Sequence, residues 1–120
     1  MQPYTELKVW QRSHALVLQV YRLSATLPRE ERFALVSQLR RAATSVPTNI
    51  AEGSKRRSSN DFAHFLNMAE GSLAEVDYLL LLARDLGYVG DDQVAPMRVE
   101  VGEIARMLYS LRLKVEGSGS

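Results

Sequence analysis

Apolar residues recur at helical spacing along almost the whole chain, and no stretch keeps up the apolar/polar alternation of a half-buried strand. The strongest example is Val94, Met97, Val101, Ile104, Leu108, Leu111 and Val115, an a/d seam with Glu100, Glu103, Arg106 and Arg112 held off it. A chain patterned this way buries its seams only by packing helix on helix.

Breakers divide the pattern into four segments. The first runs from about Leu7 to Ala25, carries Val9, Leu16, Val20, Leu23 and Leu27 at heptad-like spacing, and stops before Pro28. Pro28 then opens a second helix with Glu30 and Glu31 in its first turn, where the helix dipole favours anions. It continues through Phe33, Val36, Leu39, Ala43, Val46 and Ile50 to Gly53, a residue that accepts positive φ at a helix end. Ser58-Ser59-Asn60-Asp61 offers an N-cap for a third helix carrying Phe62, Phe65, Leu66, Ala69, Leu73 and Val76 and reaching about Leu86. Gly87-Tyr88-Val89-Gly90 breaks it before Asp91-Asp92 caps the fourth. The expected fold is all-α, an antiparallel up-down-up-down four-helix bundle over residues 1–116, with 117–120 a flexible tail.

Pro47 lies inside the second helix and should kink it rather than end it. It lacks a backbone donor and frees the carbonyl of Ala43, so Thr44, Ser45, Thr48 and Asn49 are placed to compensate. Asn49, one turn beyond Ser45, reads as a local structural residue. Glu52 is placed to organise Arg41 and Arg56. Gly71 and Ser72 read as small residues for close helix approach, with Glu75 in an interhelical polar contact.

At 120 residues and 46% apolar, the chain suits one domain with a sizeable core. It has no cysteine, hence no disulfide, thiolate nucleophile or sulfur-ligated metal. The N-terminus lacks a charged and apolar leader, and the run from Tyr78 to Ala83 is too short to cross a bilayer, so no membrane partner and a cytoplasmic location are expected. Tyr78-Leu79-Leu80-Leu81-Leu82 turns apolar surface in every direction, and Val17, Leu18 and Tyr21 lie off the first helix's main stripe. Leaving such surface wet forgoes several kcal/mol at about 25 cal/mol per Å², so a homo-oligomer is expected.

Net charge is only +1, but its distribution is segregated. Residues 29–57 hold seven cations against three anions, and residues 61–93 hold seven anions against one cation. Two readings stand: salt bridging within or between subunits, or a basic surface reserved for a polyanion. The candidate contact residues for the second are Arg40, Arg41, Lys55, Arg56 and Arg57, which would meet phosphates without reading sequence, since Phe62 and Phe65 lie at core spacing.

Catalysis has no supporting pattern. A di-iron bundle needs Glu-x-x-His, which is missing; the nearest spacing is Asp61-x-x-His64, and His14 stands alone. Neither a Gly-x-Ser-x-Gly elbow nor a phosphate-cradling glycine loop occurs, so no enzyme activity, catalytic residue, metal or cofactor is expected.

Several of these stretches together resemble the proteins encoded in intervening sequences of bacterial 23S ribosomal RNA genes, a family related to accessory proteins of diversity-generating retroelements. The matching residues are Leu7-Lys8-Val9-Trp10-Gln11, Gln38-Leu39-Arg40-Arg41-Ala42, Ser45-Val46-Pro47, Asn49-Ile50-Ala51-Glu52-Gly53, Phe65-Leu66 and Gly71-Ser72-Leu73-Ala74-Glu75, spanning about residues 5–112. The resemblance implies an antiparallel four-helix protomer assembling into a ring-like pentamer. For the retroelement relatives, which are strongly basic where this chain is nearly neutral, it implies binding of reverse transcriptase and nucleic acid. Two functional expectations follow: an oligomeric accessory protein that binds RNA or DNA, or a structural or protein-adaptor scaffold.

Overall fold

The computed structural model describes residues 3–118. Helices α1 (Lys8–Ser24), α2 (Leu35–Ser54), α3 (Ser59–Asp85) and α4 (Asp91–Gly117) form the expected bundle, and no strand occurs among the described residues. Short 3₁₀ turns at Tyr4–Glu6 and Arg29–Glu31 precede α1 and α2. α1 packs on α2 and α4, and α3 packs on the same two helices, so α1 and α3 sit on a diagonal of a body measuring 47 × 24 × 20 Å.

The seams meet along the axis. Leu16 and Val20 of α1, Leu39, Val46 and Ile50 of α2, Leu66, Leu73 and Leu80 of α3, and Ile104 and Leu108 of α4 are all fully buried. Leu111 and Val115, the last seam residues of α4, are only half-buried against this core. Of the expected tail, Gly117 is the last residue of α4 and Ser118 its C-cap, while Gly119 and Ser120 lie outside the described residues.

Several local details differ from the expectation. The second helix does not start at Pro28: a 3₁₀ turn follows Pro28, Ala34 takes φ −119° and ψ −98°, and α2 begins only at Leu35. This break takes Phe33 out of the apolar stripe of α2, leaving it 87% exposed with the Arg32 guanidinium 5.4 Å from its ring centre. Gly53 lies inside α2 without positive φ; its role is close approach, because a Cβ there would stand 2.7 Å from Phe65 Cβ and 2.9 Å from Phe62 Cδ1. Gly71 is exposed with no neighbour within 4 Å of a would-be Cβ, so it does not draw helices together.

Helix ends follow capping chemistry. Ser58 Oγ accepts the Asp61 N–H at 3.1 Å, as the N-cap signal indicated. α3 closes in a Schellman turn, with Gly87 at φ 79°, its N–H on Arg84 O and the Tyr88 N–H on Ala83 O. Gly90, rather than either aspartate, is the N-cap of α4, and Gln93 Oε1 accepts its N–H at 3.0 Å; Asp91 and Asp92 occupy the first turn.

Tyr88 ties this turn to the 3₁₀ turn before α2, donating its hydroxyl to Glu31 Oε2 at 2.8 Å. The carboxylate acceptor raises the phenol above its ordinary value, so the bond is intact below that value and is lost as pH rises through the raised one. Tyr88→Phe is therefore expected to melt below the unsubstituted protein at neutral pH, and the two melting curves should converge as the phenol ionises. A gap that stays constant into alkali would contradict this.

Candidate functional site

The turn between α2 and α3 is short because both flanking helices are finished locally. Ser54 Oγ donates to Ala51 O at 2.8 Å, and the Lys55 and Arg56 N–H groups bond Glu52 O and Gly53 O. Ser58 then starts α3, which leaves Lys55, Arg56 and Arg57 exposed together at one end of the bundle. Arg56 is held with its guanidinium 4.6 Å from the Phe65 ring centre, a cation–π contact that orders the side chain at the surface.

Upstream, α2 passes through Pro47 without ending. Thr48 Oγ1 donates to Thr44 O at 2.7 Å, and Asn49 Nδ2 donates to Ser45 O at 2.8 Å and to Ser45 Oγ at 3.0 Å. Asn49 thus has the local role read from its spacing. The interhelical polar contact is made by Ser45 and Ser72, whose hydroxyls stand 2.8 Å apart, and not by Glu75.

The remaining two candidate cations are elsewhere. Arg40 folds onto the C-terminal end of α1, donating Nε to Ser24 Oγ at 2.8 Å and Nη2 to Tyr21 O at 3.3 Å, with its guanidinium 4.4 Å from the Tyr21 ring centre. A cation there complements the helix dipole and is committed to holding α1 on α2. Arg41 is exposed beside a small notch lined by Ser45, Ser72 and Glu75. At about 1.5 Å per residue, it stands about 21 Å along the axis from Lys55. The five candidates therefore form one cluster of three, one outlier and one internal brace. Glu52 makes no ion pair with Arg41 or Arg56; it lines a groove with Trp10, His14 and Pro47.

The ion pairs run between other elements. Arg12 of α1 bonds Glu100 at 2.6 Å and Glu103 at 2.8 Å on α4. Arg98 of α4 bonds Asp77 of α3 at 2.9 Å, and Arg112 of α4 reaches Glu70 of α3 and Glu116. Arg84 spans Asp85 and Asp91 across the α3–α4 turn. Hydrogen bonds donated to these carboxylates hold all four guanidinium groups above their ordinary value. No cation of residues 29–57 enters an ion pair among the described residues. Salt bridging within the protomer thus does not use the basic segment: Glu70 and Asp77 of α3 pair with α4 instead. Arg12, Arg98 and Arg112 were not legible as braces, because only the packed bundle brings them opposite their acids; their off-seam positions were the one available sign.

Among the described residues no group of three or more His, Asp or Glu side chains is placed to hold a metal. His14 stacks on Trp10 at 5.2 Å, and His64 meets Phe65 edge-on at 6.1 Å. No helix of the described residues is long and apolar enough to cross a membrane.

The profile of the 23S rRNA-intervening sequence protein family matches residues 5–110. The chain belongs to that family. A crystal structure of a family-related protein from Bacteroides thetaiotaomicron, described as of unknown function and from the S23 ribosomal protein family, superposes with a TM-score of 0.80 at 28% identity. The match covers 87% of this chain and 97% of that one, so this family member shares the fold over nearly its whole length. No curated protein matches the chain. Neither finding indicates a catalytic activity.

Proposed function

We propose that this family member is a non-enzymatic, cytoplasmic accessory protein that binds RNA or DNA without sequence specificity through Lys55, Arg56 and Arg57. The observation that carries the reading is the segregation of partners: Arg12, Arg84, Arg98 and Arg112 pair with seven carboxylates of the bundle, and among the described residues the three clustered cations enter no ion pair. Phosphates are the polyanion that such a cluster meets with little prescribed geometry. Arg41 adds a second contact along α2, and Arg40 stays structural.

One protomer binds weakly, because three phosphate contacts give a log–log salt slope of only about −2 for a single strand. Repetition in a homo-oligomer, a pentamer by resemblance to the family, would let one strand engage several copies. Support for assembly comes from exposed apolar side chains: Leu18 and Tyr21 on α1, Tyr78 on α3, and Val99, Tyr109 and Leu113 on α4. These same residues favour the second reading, a structural or protein-adaptor scaffold in which the cations serve only assembly.

Fluorescence anisotropy with labelled single-stranded RNA and DNA across a salt series tests the proposal. Salt-sensitive binding at micromolar protein is expected, with a loss of at least about tenfold when Lys55→Glu, Arg56→Glu and Arg57→Glu are combined. Light scattering on that variant separates the readings. An intact assembly that no longer binds supports nucleic-acid contact, whereas dissociation of the assembly makes the cations subunit contacts.

A further inference from the structure

Beside the basic turn lies a cavity of about 280 Å³. Its floor is apolar, built from Leu7 ahead of α1, Phe62 of α3 and Leu111 of α4, and its rim carries Arg56, Arg57 and Ser58. We propose that this cavity seats one unstacked nucleobase, so that the site selects single-stranded over double-stranded nucleic acid. The inference rests on the nucleic-acid reading above and specifies its substrate class.

Four features converge on that ligand. The cavity is smaller than the roughly 300–1,000 Å³ typical of drug-sized pockets, which is the scale of one ring system and not of a larger cofactor. Its walls come from three separate elements packed on the core, and Phe62 is further pinned by its close approach to Gly53, so the slot is preformed. The two cations that line it, Arg56 and Arg57, both come from the turn between α2 and α3, matching a flat apolar base joined to a charged backbone. Arg56 is already ordered over Phe65, and Ser58 Oγ accepts from the Asp61 N–H and so keeps its own proton for an incoming oxygen. Arg57 on the rim and exposed Lys55, two residues before it, supply charge for neighbouring phosphates, and the N-terminal dipole of α3 adds to their attraction.

Core spacing alone gave Phe62 no part in base contact; the fold leaves it half-buried at the cavity instead. An apolar and aromatic surface accepts any base, so the slot confers strand selectivity without sequence selectivity. In a duplex the bases are stacked and paired, and none can enter. Electrostatics alone favours the duplex, whose charge density is higher, so a preference for the single strand has the opposite sign from a purely ionic site.

The test compares three fluorescein-labelled probes of equal length at one salt concentration: a single-stranded oligonucleotide, an abasic strand with the same backbone, and a duplex. The single strand is expected to bind roughly 5- to 100-fold more tightly than the abasic strand, and more tightly than the duplex. Leu111→Gln, which replaces part of the apolar floor with a polar amide at a half-buried position, should bring single-strand affinity down toward that of the abasic strand, with circular dichroism confirming the fold. Equal affinity for all three probes, or a preference for the duplex, would overturn the base slot while leaving polyanion binding in place. Failure of every probe to bind would overturn both.

Discussion

Leu80→Ala is expected to destabilise the protomer by about 2–5 kcal/mol, read as a lower midpoint in urea with an unchanged slope. Leu80 is fully buried where α3 faces both neighbouring helices, so truncation removes transfer energy and leaves a cavity. Tyr78, two residues earlier, is 60% exposed, and Tyr78→Ser should change protomer stability by no more than about 0.5 kcal/mol. The pair dissects the Tyr78–Leu82 run. Leu79 and Leu80 are buried and Leu81 and Leu82 half-buried, so the protomer consumes most of the apolar surface that pointed toward self-association. Equal losses for the two variants would show that the run is buried by something other than its own bundle.

Glycine-to-alanine changes at two positions should act in opposite directions. In an exposed helix interior, alanine is favoured over glycine by about 1 kcal/mol, and Gly71→Ala should realise most of that gain because nothing stands near its Cβ. Gly53→Ala receives the same intrinsic preference but places its methyl 2.7 Å from Phe65 Cβ, an atom fixed to the α3 backbone. Overpacking of this kind costs about 1–3 kcal/mol, and because Phe65 Cβ cannot swing aside the upper part of that range applies, for a net loss. Thermal unfolding of both variants checks the signs. A Gly53→Ala protein as stable as its parent would mean that α2 and α3 separate easily at this end, and the preformed cavity beside Phe62 would lose its support.

Legibility followed the range of the interaction. The Ser58 cap, the Gly87 break and the Asn49 bonds to Ser45 all connect residues within four positions, and each appears where local spacing placed it. Phe33 continues the apolar period in the chain, while the backbone at Ala34 interrupts the helix that would have carried it inward. The candidate site was legible as a set of residue types but not as a group. Arg40 looked equivalent to Arg41 in the chain; only the packing of α1 on α2 shows that its donors are spent on Ser24 and Tyr21.

By itself the sequence determined four helices, their order and the seams that face inward, because hydrophobic period, caps and breakers act over one or two turns. Tertiary structure alone decided which charges are neutralised, which glycine is a contact and where a cavity opens beside cations. Those properties depend on which surfaces meet across the bundle, and residues 40 to 90 positions apart, such as Arg12 with Glu100 and Glu70 with Arg112, carry no local mark of their pairing.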